Sequence, residues 1–134
     1  MNRTHLEGAA EALAAQQGYA FHTGPEDGMA HTVRSYPAAW LAPLELHAVE
    51  RRSHGRATYD MTLHLLSSGA RLSPTERRAA LARMEEQLLE IFAALSLDER
   101  VLAVEGLSVR PRAFALTPHG EISQTAAARI VTFF

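Results

Sequence analysis

The sequence contains no cysteine, so disulfide bonds, thiolate metal sites and cysteine nucleophiles are all excluded. It contains no lysine either: all thirteen basic residues are arginines, and with fifteen acidic residues the net charge is −2. This balance argues against electrostatic binding to nucleic acid as the main function. No apolar run approaches the ~18 residues of a membrane span, and the N-terminus lacks the basic segment and apolar core of a secretory signal. We therefore expect a cytosolic protein with no membrane or nucleic-acid partner.

The residues that are present indicate one globular domain. The chain has 134 residues, of which 47% are hydrophobic and 21% are charged, as in ordinary globular proteins. A chain of this length buries a substantial core without covalent cross-links. The sequence shows no internal repeat, low-complexity tract or linker, and we predict a single domain over residues 1–134.

The most strongly patterned stretch runs from Tyr36 to Leu66. Two runs rich in β-forming residues meet at His54-Gly55, and an X-Gly pair between strands is typical of a two-residue hairpin turn. That turn sorts the facing pairs into an apolar row and a mostly polar row, as expected of a half-buried antiparallel sheet. The predicted apolar pairs are Ala48 with Met61, Leu46 with Leu63, and Leu44 with Leu65. The predicted polar pairs are Val49 with Asp60, His47 with Thr62, and Glu45 with His64.

Two helices are indicated by capping signals and apolar periodicity. The first is expected to begin at Thr4, whose spacing to Glu7 is that of a capping box, and to end at Gly18. The second is expected to follow Ser73, where S-P-T-E combines an N-cap serine, a proline at the first helical position and a glutamate. This helix is predicted to continue to about Leu95. Its apolar face has residues three or four positions apart: Leu81, Met84, Leu88, Ile91 and Leu95.

The remaining segments predict short strands and turns. Residues 19–23 form a short strand, and residues 24–35 form an exposed polar loop that is longer than most connections. Residues 101–116 have β-forming character, but Pro111 is expected at an edge, a bulge or a strand end because it lacks an N–H. A turn at residues 117–120 leads to a last strand that ends in RIVTFF.

The order of these elements predicts an α+β fold. A helix, a short strand, a loop, a hairpin, a second helix and a second hairpin follow one another along the chain. Strands separated by isolated helices indicate an antiparallel or mixed sheet, here of about four to five strands. We expect both helices to pack mainly on one face of this sheet, which leaves the other face without a cover.

Glu45, His47 and His64 share the predicted polar row and form the most suggestive group of side chains. Glu45 and His64 are directly opposed in the predicted register, within reach of a hydrogen bond. Two histidines and a carboxylate are also the ingredients of a divalent metal site. The alternative is a solvated or subunit-facing polar row. We favour this alternative, and therefore predict no metal and no other cofactor.

The sequence contains no catalytic motif. No serine lies in a G-x-S-x-G elbow, and no pair of histidines has the helical spacing of a zinc protease. Four further histidines are scattered over predicted loops and turns: His22, His31, His54 and His119. We therefore predict that the protein is not an enzyme.

The candidate contact surfaces are polar and aromatic. Two local arginine groups could bind a phosphate or an acidic partner, or could simply be solvated. Trp40, Leu41 and the C-terminal Phe133-Phe134 belong either to the core or to an oligomer interface. The polar row and the arginine groups together make up the predicted subunit or partner interface: Glu45, His47, Asp60, Thr62, His64, Arg51, Arg52, Arg56, Arg110 and Arg112.

The chain resembles the tail terminator, or tail completion, proteins of long-tailed bacteriophages and related prophages. The resemblance covers nearly the whole chain and is one of element order and pattern. It rests on the N-terminal helix from Thr4, the Tyr36-Pro37 entry into an apolar strand, the run ATYDMTLHLL, the SPTE-capped helix and the closing ARIVTFF.

The resemblance implies a structural role in virion assembly. Members of that family form a hexameric ring that caps the tail tube and presents a surface for head-joining proteins. Its expected partners are therefore copies of itself, the tail tube and head–tail joining proteins, in the bacterial cytoplasm during assembly and then in the virion. A ring needs heterologous contacts, for which the polar row and the 24–35 loop are the predicted patches. The competing hypothesis is a stand-alone binding module or small enzyme with a polar or metal site on the central hairpin.

Overall fold

The computed structural model describes residues 2–51, 55–113 and 115–133. Three helices lie in this part of the chain: α1 (Asn2–Gln16), α2 (Met29–Thr32) and α3 (Pro74–Leu95). A single 3₁₀ turn, Glu26–Gly28, precedes α2. The strands are β1 (Ala20–Thr23), β2 (Ala38–Leu41), β3 (Glu45–Glu50), β4 (Arg56–Ser67), β5 (Val101–Pro111) and β6 (Ile122–Phe133).

The six strands form one mixed sheet. Its order is β1-β2-β4-β6-β5, and β3 pairs with β4 along the same edge as β2. β1 and β2 run parallel, whereas the other neighbours run antiparallel. The predicted α+β fold is therefore confirmed. The sheet has six strands rather than four to five because one predicted strand is divided into β2 and β3.

The start of α1 differs from the prediction, and its end agrees with it. The helix begins at Asn2, whose side-chain amide donates to the Thr132 hydroxyl of β6 at 3.0 Å. This tertiary contact extends the helix past Thr4, so the predicted cap at that residue is wrong. Gly18 has φ 87° and ends the helix. The N–H of Tyr19 then reaches back to the Ala14 carbonyl at 3.0 Å, as in a Schellman motif.

The predicted start of α3 is confirmed. The Ser73 hydroxyl accepts a hydrogen bond from the N–H of Glu76, and the Glu76 carboxylate accepts one from the N–H of Ser73, both at 3.2 Å. These reciprocal bonds satisfy two N–H groups that have no partner inside the helix. Four of the five predicted apolar residues are buried, and the fifth, Leu81, is half-buried. Ala80 and Phe92, which were not predicted, are buried as well. The buried residues of the helix are therefore Ala80, Met84, Leu88, Ile91, Phe92 and Leu95.

The main core lies between the two long helices and one face of the sheet. Alternate residues of β4 enter it, as the sequence pattern predicts: Met61, Leu63 and Leu65 are all at most 1% exposed. The facing residues of the other strands and of α1 complete this cluster, among them Leu6, Ala10, Ala39, Leu41, Ala126 and Ile130. Burial of these side chains is the main favourable contribution to folding.

Residues 24–35 do not form the exposed loop that was predicted. They contain the 3₁₀ turn and α2, and Met29 and Val33 are at most 1% exposed. Residues four apart lie on the same side of a helical turn, so these two side chains face the sheet together. They pack there with Trp40 and Leu66 in a second apolar cluster. This cluster lies on the face of the sheet that the long helices leave uncovered.

The predicted register of the central hairpin is wrong. Glu45 lies opposite Asp60 rather than His64, and Val49 lies opposite Ala57 rather than Asp60. The predicted continuous strand is broken after Leu41, where Ala42 makes a last bond to β4 before Pro43, which has no N–H to donate. A bulge in β3 shifts the pairing once more. His54 of the predicted turn lies outside the described part of the chain.

Several smaller predictions can be compared directly with the structure. Pro111 ends β5, the last strand of the sheet, as expected for a residue without an N–H. Trp40 and Leu41 are at most 2% exposed and belong to the two cores, so neither is available for an oligomer interface. Phe133 is 50% exposed. Phe134 lies outside the described residues.

Candidate functional site

The candidate site lies on the sheet face opposite the long helices. Because successive residues of a strand point to opposite faces, Asp60, Thr62 and His64 lie on this face, while their neighbours in β4 enter the main core. The second apolar cluster covers one end of the face. The polar row is therefore divided: His64 is buried under that cover, whereas Asp60 and Thr62 are only half-buried.

His64 is fully buried and has a partner on each ring nitrogen. Its Nδ1 lies 2.7 Å from the Oγ1 of Thr125, the residue opposite it on β6, and its Nε2 lies 2.8 Å from a carboxylate oxygen of Glu26. A carboxylate only accepts hydrogen bonds, so the Glu26 contact assigns the ring proton to Nε2. Nδ1 then accepts the Thr125 hydroxyl proton. The order Glu26–His64–Thr125 is that of a carboxylate–imidazole–hydroxyl relay.

The surroundings of His64 favour the neutral imidazole. Burial lowers its pKa from the ordinary value of 6.5 because the charged form loses its hydration. The hydrogen bond and charge of Glu26 oppose this effect, and the positive charge of Arg112 adds to it. The resulting pKa lies below 6.5, so at neutral pH the ring carries one proton and Nδ1 acts as an acceptor.

The structure does not bring the predicted trio of Glu45, His47 and His64 together. Glu45 is exposed opposite Asp60, while His64 lies higher on β4, between Trp40 and Thr125. The cause is the register, since the predicted pairing of Glu45 with His64 required an unbroken strand. In the described ranges no group of three or more His, Asp or Glu side chains could hold a metal ion.

His47 instead belongs to a small charged group near β3. Its Nδ1 lies 3.3 Å from one carboxylate oxygen of Asp60, and the Arg129 guanidinium lies 3.7 Å from the other. All three side chains are well exposed, so the pairs contribute little to stability. Asp60, Thr62 and Arg129 also line an open concavity of about 660 Å³ together with residues of β5.

The two predicted arginine groups lie in different parts of the molecule. Arg51 and Arg56 are exposed near the ends of β3 and β4, where Arg56 lies opposite Glu50, and Arg52 is outside the described residues. Arg110 and Arg112 lie at the far end of β5, next to the His64 site. They line a pocket of about 580 Å³ with Ser108, Pro111, Ala113, Ala115, Leu116, Thr125 and Ala127.

Sequence reasoning missed two of the three residues in the relay. Glu26 lies in a segment predicted to be a solvated loop, and nothing in the local sequence places it over the sheet. Thr125 carried a usable signal: it alternates with Ala126, Ala128 and Ile130 of the main core, so strand periodicity places it on the opposite face.

The other described histidines do not converge on this site. His5 instead lies 2.7 Å from a carboxylate oxygen of Asp98. The His22 ring stacks on Trp40 with centroids 6.1 Å apart, and His119 lies 3.3 Å from the Ala30 carbonyl oxygen. His31 is exposed at the end of α2. His54 lies outside the described residues.

We predict that His64 makes the protein less stable in mild acid. The unfolded chain binds a proton on this histidine as the pH falls below about 6.5, while the folded protein, with its lowered pKa, resists protonation. The free energy of unfolding should therefore fall as the pH decreases from 6.5, by at most about 1.4 kcal/mol per pH unit for one proton. Urea unfolding at a series of pH values measures this slope.

His64→Gln is the matched variant for this prediction. Glutamine removes the titration, so the slope between pH 6.5 and 5 should become flatter even if the variant is less stable at every pH. Asp98 does not interfere in this range. Burial raises its pKa, but its hydrogen bonds to Arg100 and His5 outweigh burial, and the net shift is downward from 3.8. An unchanged slope in His64→Gln would contradict the prediction.

No protein-family model matches the sequence, and no curated protein is significantly similar to it. Among the described residues, no helix is both long enough and apolar enough to cross a membrane.

Proposed function

We propose that the protein is a structural subunit of a phage or prophage tail, which forms a closed homo-oligomeric ring that caps the tail tube and joins it to the head. The observation that carries this proposal is a pair of uncovered sheet edges. β1 and β3 together form one edge and β5 forms the edge on the opposite side; of these strands, β3 and β5 present large exposed apolar side chains. A ring of identical subunits needs two different complementary patches of this kind.

The β3 edge is apolar at its centre and acidic at its ends. Leu46 is 51% exposed and Val49 is 39% exposed, because the long helices do not extend over this short strand. Glu45 and Glu50 are its first and last residues, and both are exposed. Within the described ranges β3 pairs only with β4, so its outer side is open.

The β5 edge also exposes apolar side chains, and it carries charges of both signs, among them Arg100 and Glu105. Leu102 is 40% exposed and Leu107 is 36% exposed, and the exposed Arg100 directly precedes the strand. Phe133 at the end of neighbouring β6 adds a half-exposed aromatic ring, and its N–H bonds to the Arg100 carbonyl at 3.1 Å. The exposed leucines of the β5 edge can therefore pack against Leu46 and Val49 of the next subunit, with Arg100 close to a glutamate of the β3 edge.

Both edges also carry features that oppose simple strand addition. β3 is bulged after Leu46, and β5 is bulged between Glu105 and Ser108, where Gly106 has φ 63°. Bulges interrupt the regular N–H and C=O ladder that an open-ended fibre would extend. Neighbouring subunits that meet through side chains, at a fixed angle to one another, favour a closed ring. Continuous pairing of strands between subunits would favour a fibre.

The proposal revises the predicted interface. His64, buried under the 24–35 segment, is not available to a neighbouring subunit. His47 and Asp60 remain candidates because they lie beside the β3 edge. The hexameric ring size is an expectation from the resemblance of the sequence to tail terminators.

The test is the mass of the protein in solution by size-exclusion chromatography with light scattering. The expected result is six times the 14.7 kDa subunit mass. Leu46→Asp and Leu107→Asp each place a charge in one edge and should give monomers. Leu97→Asp is the matched control, because Leu97 is 85% exposed but lies outside both edges, and it should leave the ring intact.

Mixing the two edge variants provides a sharper outcome. In a heterologous interface, the intact β5 edge of Leu46→Asp still fits the intact β3 edge of Leu107→Asp, so a heterodimer should form and no ring should close. If each edge instead contacted its own copy, mixing would restore nothing. A wild-type protein that stays monomeric at all concentrations would exclude the proposed function.

A further inference from the structure

We propose that the pocket beside His64 binds an oxyanion that keeps a hydroxyl group at neutral pH, the inorganic example being hydrogen phosphate. The pocket lies between the end of β5, the chain at Ala113, Ala115 and Leu116, and Thr125 of β6. Its volume of about 580 Å³ is within the range of small-molecule sites.

The pocket has two positively charged side chains in its wall. Arg110 and Arg112 both line it, and none of its described lining residues is acidic. Neither arginine forms an ion pair with a carboxylate in the described part of the chain. A guanidinium offers several N–H donors in a planar arrangement that suits phosphate and carboxylate oxygens. Two such groups on one concave surface therefore favour an anionic ligand.

The position of these arginines relative to Thr125 follows from the strand register. Arg110 is the residue of β5 directly opposite Thr125 on β6, and directly opposed side chains of neighbouring strands lie close together on one face. Arg112 is near enough for its charge to act on His64. Charge donors and the threonine hydroxyl thus converge on the same space.

Thr125 contributes an acceptor rather than a donor. Its hydroxyl proton is directed to Nδ1 of His64, whose other nitrogen donates to Glu26. The lone pairs of the Thr125 oxygen are what remains for a ligand. An anion without its own proton would leave this oxygen unpaired or be repelled by it. An anion with a hydroxyl group can donate to Thr125 and accept from both arginines.

This requirement separates two anions of similar size and shape. Hydrogen phosphate retains at least one P–O–H group at neutral pH, whereas sulfate has none. The relay from Glu26 through His64 therefore acts as a selectivity device, because it keeps Thr125 in the accepting orientation. The inference does not depend on ring formation, since every residue in the pocket belongs to one subunit.

Isothermal titration calorimetry of the intact protein with inorganic phosphate and with sulfate, at pH 7.5 and constant ionic strength, tests the proposal. Phosphate should bind at least about tenfold more tightly than sulfate, as expected for one hydrogen bond to a charged group. Arg110→Gln with Arg112→Gln should remove the binding of both anions. Arg78→Gln with Arg83→Gln removes the same charge from α3 and should change neither.

Variants of Thr125 test the acceptor directly. Thr125→Ser keeps the hydroxyl and should keep the preference for phosphate, whereas Thr125→Val should bind the two anions equally. Circular dichroism checks that each variant is folded, and if Thr125→Val is not, the wild-type ratio and Thr125→Ser still decide. Absence of phosphate binding, equal affinity of the wild type for both anions, or binding unaffected by loss of Arg110 and Arg112 would overturn the proposal.

Discussion

Replacement of Trp40 with alanine is expected to lower the free energy of unfolding by about 3–5 kcal/mol. Trp40 is 2% exposed and is among the largest fully buried side chains. It joins Met29, Val33 and Leu66 in the second apolar cluster, so its removal leaves a cavity between the sheet and the 24–35 segment. The loss of its Nε1 hydrogen bond to the Gly24 carbonyl, 2.9 Å long, adds to the effect.

Chemical denaturation of Trp40→Ala measures this change. Trp40→Phe is the matched variant: it keeps an aromatic ring but lacks the indole N–H, and we expect it to cost only about 1–2 kcal/mol. Phe133→Ala also removes an aromatic ring, but from a half-exposed position, and should cost less than either. A loss below about 1.5 kcal/mol for Trp40→Ala would show that this cluster is not a packed core.

Replacement of Glu121 with alanine is expected to be about as damaging, at roughly 3 kcal/mol. The Glu121 side chain is only 2% exposed and accepts three hydrogen bonds from the preceding turn. They come from the N–H of Leu116 at 2.6 Å, the N–H of Thr117 at 2.9 Å and the Thr117 hydroxyl at 2.6 Å. Alanine would leave these donors without a partner in a buried place, which costs more than the bonds themselves contribute.

The controls for Glu121 separate charge from geometry. Glu121→Gln retains one side-chain oxygen of nearly the same shape and should lose less than the alanine variant. Glu85→Ala removes an exposed carboxylate from α3 and should be close to neutral. Since Leu116 is part of the pocket wall, Glu121→Ala should also weaken phosphate binding. A variant as stable as wild type would mean that solvent replaces the three bonds.

The structure also changes where a ring contact is expected. The polar row was the predicted subunit surface, yet its most distinctive member, His64, is buried beneath residues of the same chain. The sheet edges instead expose four large apolar side chains, those of Leu46, Val49, Leu102 and Leu107. Leu46 was predicted to be buried and is half exposed, and this failed prediction is why the β3 edge is the proposed contact surface.

The sequence was sufficient to predict the features whose hydrogen bonds join residues close together in the chain. The capping box at Ser73 and the end of α1 at Gly18 each satisfy backbone N–H or C=O groups within a few residues. The residues next to each of them in the sequence are therefore enough to predict these features. The alternation in β4 likewise assigned Met61 and Leu63 to the core, because strand periodicity is a property of the strand itself. These local features together indicated the α+β fold.

Only the tertiary structure decided the register and the site. The break at Pro43 and the bulge in β3 shift the pairing with β4, and a hairpin turn inferred from two residues cannot reveal either. His64 meets Glu26 from 38 positions earlier and Thr125 from 61 positions later. Such contacts form because the 24–35 segment folds over the sheet to bury Met29 and Val33. The sequence by itself determined which residues alternate between the two faces of a strand and which residues cap a helix. The packing of distant segments determined which side chains come into contact.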